Sequence, residues 1–165
     1  MKPDARQRAE ITALLGREPR GLQAVAVAAE DGSPRVVRVA SLVDGKPFPT
    51  LFWLVDRALN YRIDGAEAGG LIARLQARVD ADADLQAAMV SDHRAHITLR
   101  DSFIGAGERA ELARLGFADV LEQRGIGGIA DFGRIRCLHT WYAAHLVTAN
   151  TIGALVDGVF AAGEA

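Results

Sequence analysis

Three short apolar runs follow one another near the start of this chain: LQAVAVAA (22–29), RVVRVASLV (35–43) and FPTLFWLV (48–55). Only turn-forming residues separate them. Asp31-Gly32 and Asp44-Gly45 are hairpin dipeptides, because glycine accepts the positive φ that tight turns need. Three strands joined so closely must run antiparallel, since a parallel crossover needs a dozen residues or more. Pro47 and Pro49 cannot donate ladder hydrogen bonds, so pairing of the third strand is expected from about Thr50. Its run Leu51 to Val55 lacks polar alternation, which predicts cover on both faces.

Elsewhere the apolar pattern is helical. Ile11, Leu14 and Leu15 mark an amphipathic helix over 4–15 that ends at Gly16. After Asp56 the chain turns helical again. Asp64-Gly65-Ala66-Glu67 has the form of a capping box and predicts a helix start there, ahead of Leu71, Ile72, Leu75 and Val79 at helical spacing. The acidic run DADAD (80–84) predicts the cap of a long helix whose row is Leu85, Met89, His93, His96, Leu99 and Phe103. Residues 105–123 form one or two short helices, RGIGGIADFG (124–133) is a glycine-rich loop, and apolar spacing returns from about Ile135. The expected fold is α+β, a small antiparallel three-stranded meander packed against a bundle of four to six helices. Residues 1–165 make one domain.

Composition narrows the function classes. Half of the residues are hydrophobic, 24% are charged and the net charge is −2, so no general nucleic-acid footprint is expected. One cysteine excludes an internal disulfide framework and a cysteine-only zinc cage. The charged N-terminal stretch lacks the apolar centre of a signal peptide, and no run nears the ~18 apolar residues that span a membrane. These features place the protein in the cytoplasm.

The chemistry-bearing residues concentrate in FGRIRCLHTWYAAHL (132–146), which holds Cys137, His139 and His145. On an intact helix Cys137 and His139 would stand about 200° apart, so a shared site requires the helix to begin near Leu138 or partners from elsewhere. His93 and His96, at i and i+3 on the long helix, lie along its inward row. Zinc takes three or four N, S or O ligands, and His93, Cys137, His139 and a carboxylate such as Asp56 or Asp92 would suffice. In the competing account Cys137 is a small buried hydrophobe and each histidine bonds a carbonyl. The glycine loop could instead cradle an anion on its N–H groups, with Arg124, Arg134 and Arg136 adding bidentate contacts. A third reading makes Cys137 a nucleophile, its thiolate favoured by a helix start beside Arg136 and a histidine.

G-K-P-F-P-T-L-F-W-L (45–54), R-G-I-G-G-I (124–129) and R-I-R-C-L-H (134–139), in this order, resemble the bacterial family known as domain of unknown function 501. N-T-I-G (150–153) is similar to that family's ending, which adds Asn150 to the candidate ligand residues. The resemblance runs from about residue 20 to about residue 157. It implies a shared fold and names no reaction. Members often carry Cys-Pro or His-Pro after the aromatic strand, where this chain has Asp56-Arg57. That departure keeps Asp56 among the metal candidates while placing a thiolate-rich site in doubt. His93, Arg136, Cys137 and His139 match the family's helical histidine and its basic-Cys-Leu-His block, whereas His145 is displaced by one residue. The combined expectation is a polar pocket where Asp56, His93 and the Arg136–His139 segment meet, binding a small anion or a metal. The alternative is a structural or interaction module without catalytic activity, linked to cell division because members are often encoded beside a cell-division initiator.

Overall fold

The computed structural model describes residues 1–163. Its sheet is the expected antiparallel meander, in the order β1 (Leu22–Ala28), β2 (Pro34–Val39), β5 (Phe52–Leu54). Between the last two, β3 (Leu42–Val43) and β4 (Lys46–Pro47) form a separate small hairpin. Both of its turn residues, Asp44 and Gly45, have positive φ, at 51° and 72°. That is the requirement of the two-residue turn whose twist matches a hairpin. This insertion ends β2 at Val39, earlier than the 35–43 run predicts. The two prolines postpone β5 to Phe52.

The sheet is covered on both faces. Val25 and Val37, paired across β1 and β2, pack with Val55 against Ile11 of α1 (Ala5–Leu15). Val36, Phe52 and Leu54 face the opposite way into the main core. α1 is fixed at its start by Asp4, whose carboxylate accepts from Gln7 while the Gln7 side chain accepts from Asp4 N–H. Such a reciprocal cap satisfies two donors that the first turn leaves open.

Among the described residues the chain forms eight helices, α1 included, more than the four to six expected. α2 (Arg57–Ala68) begins directly after Asp56, as expected, and the Asp56 carboxylate caps it, accepting from Leu59 N–H at 3.0 Å; the capping box expected at Asp64 is absent because those residues lie inside this helix. Gly69-Gly70 separate it from α3 (Leu71–Asp80), which buries Leu71, Leu75 and Val79. α4 (Ala83–Ser102) starts at Asp82, within the acidic run, and buries Met89, His93, His96 and Arg100. α5 (Ala106–Arg114) and α6 (Ala118–Glu122) are short and peripheral. α7 (Leu138–Val147) runs through the centre with Trp141 fully buried, and α8 (Thr151–Ala162) closes the bundle. No single helix among the described residues is long and apolar enough to cross a membrane.

His93 holds the glycine loop against α4. Ile126 N–H donates to Nδ1 of His93 at 3.0 Å, and a Cβ on Gly125 would stand 2.1 Å from that same nitrogen. His93 cannot yield, since its ring is stacked on Phe132 and edge-on to Trp141 at 4.5 and 4.8 Å. Gly125→Ala is therefore expected to cost about 2 kcal/mol through overpacking and loss of that bond. Urea unfolding measures it; a loss under about 0.5 kcal/mol would show that the contact is loose.

Candidate functional site

Two side chains of α2 meet two from the start of α7 and the residue before it. The chain arrives there through Arg136, whose φ of 61° is unusual for a residue with a Cβ. Gln76 of α3 holds this turn from below: its Oε1 accepts from Ile135 N–H and its Nε2 donates to Gly133 O. Cys137 N–H donates to Ile135 O at 2.8 Å, and the indole N–H of Trp141 donates to the same carbonyl. Cys137 is thereby set as the extended residue preceding α7. It does not share the helical rotation that would turn it away from His139.

Glu67 in α2 accepts the N–H of Leu138 at 2.8 Å, one of the donors that open a helix. His139 folds back over this junction. Its Nδ1 is 3.7 Å from Cys137 Sγ and 3.3 Å from Glu67 Oε1, and its Nε2 is 2.8 Å from Asp64 Oδ1. Glu67 and Asp64 are three residues apart and so share one face of α2.

The electrostatics follow from these contacts. The hydrogen bond to Cys137 is the main cause that raises His139 to about 9. Burial opposes the shift, and the thiolate, Glu67 and Asp64 charges support it. Burial pushes the Cys137 thiol up, but the His139 hydrogen bond and the N–H groups of Thr140 and His139 outweigh it, leaving the thiol lowered. Both shifts run toward a thiolate–imidazolium pair, next to two carboxylates. Among the described residues, Glu67, Cys137 and His139 form the one group of three ligating side chains whose donor atoms all lie within 4.8 Å of one another.

A family model described as a protein of unknown function (DUF501) matches residues 25–158, which include every residue of this cluster. The chain belongs to the DUF501 family. No curated protein and no solved structure matches it significantly.

In this DUF501 chain the candidate residues are dispersed more widely than a single pocket would require. Cys137 and His139 are together. Asp56 is not with them, because its second carboxylate oxygen is 2.8 Å from Arg35 Nε and its first caps α2. Glu67 lies eleven residues along that helix, about 16 Å away along the axis. Burial works against the Asp56 charge, but the Leu59 N–H and Arg35 hold its carboxyl below the usual range. His93 is committed to the glycine loop, and burial lowers it to about 4.

Arg134 and Arg136 are exposed and line an open cleft with Glu67, Gln76 and Asp131. Neither forms an ion pair among the described residues. Arg124 does not line that cleft; its guanidinium reaches back to Gly128 O at 3.5 Å. Asn150 is buried as the cap of α8, accepting from Gly153 N–H and donating to Trp141 O, so its carboxamide is already in use. His145 bonds Asp157 and accepts from Asn150 N–H, which ties α7 to α8.

The two carboxylates at the centre of the site, Asp64 and Glu67, have in sequence the form of a helix cap. A sequence signal did exist, in their spacing of three residues. Only the true start of α2 turns that spacing into a shared face.

Proposed function

We propose that this chain binds one divalent transition-metal ion, zinc by its donor types, through Glu67, Cys137 and His139. The observation that carries the reading is the spacing of the donor atoms. Tetrahedral zinc with usual bond lengths sets a sulfur–nitrogen edge of about 3.6 Å and a nitrogen–oxygen edge of about 3.4 Å. Here the corresponding distances are 3.7 and 3.3 Å. The surroundings support it too. Metal-bound histidines commonly donate their other N–H to a carboxylate, and Asp64 is that carboxylate for His139. A ligating carboxylate is commonly hydrogen-bonded in turn, as Glu67 is by Leu138 N–H.

Three protein ligands leave one position open, the pattern of zinc sites that meet a water or an incoming ligand. Arg134 and Arg136, unpaired in the adjoining cleft that Glu67 also lines, suit a small anion approaching that position. The protein acts in this reading as a cytosolic bacterial metal- and anion-binding domain.

Protein purified without a histidine tag should carry about one zinc per chain by elemental analysis. Cys137→Ala combined with His139→Ala should remove it, and Asp64→Asn should weaken binding 10–100-fold. If reconstituted wild type binds zinc no more tightly than the double variant, the cluster is only a clamp between α2 and α7.

A further inference from the structure

We infer that Gln76 of α3 is a positioning residue for the zinc site at Glu67, Cys137 and His139, a role that rests on the metal reading of that cluster. Gln76 holds a strained turn at Arg136 in the metal-free protein, so that Cys137 is already in place when the ion arrives.

The turn is very tight. Cys137 N–H donates to Ile135 O, two residues back, across Arg136 at φ 61°. A bond of that span over a central residue of positive φ makes the rare, strained form of γ-turn. Left-handed backbone is costly for any residue with a Cβ. The chain accepts it here for a geometric reason. Ile135 and Leu138 are both fully buried, and only two residues lie between them. Within those two the chain must leave the core, present Cys137 and turn back into α7.

Strained residues persist where their surroundings over-determine them, and they cluster at functional sites. Both backbone groups of Ile135 are held. Its carbonyl accepts from Cys137 N–H and from the Trp141 indole, which follow it in the same segment. Its N–H donates to Gln76 Oε1 at 3.0 Å, a contact from a separate helix. Gln76 Nε2 donates to Gly133 O at 2.8 Å and to Asp80 Oδ1 at 2.9 Å. A carbonyl and a carboxylate only accept, so these two settle which end of the carboxamide faces Ile135. Gln76 thereby grips residues 133 and 135, fixes the chain entering the turn and touches none of the three ligands.

Without this grip Arg136 is expected to relax to negative φ in the metal-free protein, and zinc must restore the turn as it binds. The affinity falls by the cost of that restoration. Glycine reaches positive φ with no Cβ clash. The loss should therefore shrink with Arg136→Gly and persist with Arg136→Ala, although both remove the same charge.

Competition with a chromophoric chelator measures the zinc affinity of each protein. Gln76→Leu should bind zinc about tenfold more weakly than wild type, equivalent to about 1.4 kcal/mol. Its cobalt form, once saturated, should still show the thiolate-to-metal charge-transfer band of Cys137 ligation. Arg136→Gly and Arg136→Ala should match each other while Gln76 is present. Combined with Gln76→Leu, Arg136→Gly should bind about fivefold more tightly than Arg136→Ala. Gln76→Ala, a strong helix former at a half-buried position, repeats the comparison without added bulk, and thermal unfolding checks that each variant is folded. Gln76 variants that bind zinc as tightly as wild type would overturn the positioning role and leave the metal reading standing. So would a loss that Arg136→Gly and Arg136→Ala share equally, since that is general loosening. No zinc binding by wild type would overturn both.

Discussion

Replacing Arg100 with methionine should remove about 3–5 kcal/mol of stability, enough to leave a chain of this size marginally folded at 37 °C. Arg100 is 1% exposed, and among the described residues no carboxylate pairs with its guanidinium. Its N–H groups go instead to backbone carbonyls from three places: Pro49 before β5 at 3.0 Å, Leu121 in α6, and Arg124 at the head of the glycine loop at 2.6 Å. One side chain on α4 thus joins the strand lead-in, the peripheral helices and the loop that leads to Cys137.

Burial lowers Arg100 to about 10, with Asp101 opposing, so it stays charged at neutral pH. Methionine fills much of the volume, but the carbonyls keep their desolvation cost and lose a charged donor. Lysine retains the charge without the forked geometry and should recover only part of the loss. Urea unfolding of wild type, Arg100→Met and Arg100→Lys tests this. A methionine variant within 1 kcal/mol of wild type would mean that water or backbone movement serves the carbonyls equally well.

Arg100 also marks what could not be read from the sequence. The inward row of α4 was legible because apolar residues recur at helical spacing over five turns, and that row correctly turned His93 and His96 inside. Arg100, within the span of that row, reads as surface charge, since its partners are carbonyls more than twenty residues away in either direction; it takes the inward place expected of Phe103, which is exposed. The hairpins were legible for the opposite reason: Asp-Gly turns and prolines act through their own backbone, so their chemistry is local.

The candidate site falls between these cases. Helical rotation predicts that Cys137 and His139 share a site only if α7 begins near Leu138 or partners come from elsewhere in the fold; α7 does begin at Leu138. The carboxylates were misread. Asp64-Gly65-Ala66-Glu67 has cap chemistry, but a cap is needed only where N–H groups are unpaired, and Asp56 had already satisfied them. Identifying Asp56 as the cap takes it out of the proposed metal set and puts Glu67 in.

Acidification alone should cost this protein on the order of 3–5 kcal/mol between pH 6.5 and 4.5, before most carboxylates titrate. The cause is the pair of buried histidines on α4. Burial lowers His93 to about 4, with Asp92 opposing, and lowers His96 to about 3, with Arg100 and His93 adding to the effect. In the unfolded chain both would take a proton near the ordinary 6.5. Above that pH neither state binds the extra protons, so stability is unaffected.

As the pH falls below 6.5 the unfolded chain gains protons that the folded chain refuses, and stability drops by up to about 1.4 kcal/mol per unit for each histidine. The loss levels off only when the folded-state values are reached. His139 behaves in the opposite way: its raised value gives stability that is fully present below 6.5, so it adds little slope in this window. Replacing His96 with phenylalanine removes one titrating group together with an unpaired nitrogen. Its unfolding free energy should therefore equal or exceed that of wild type at pH 7 and fall about half as steeply toward pH 4.5. Parallel slopes for the two proteins would show that His96 reaches solvent readily enough to protonate in the folded state.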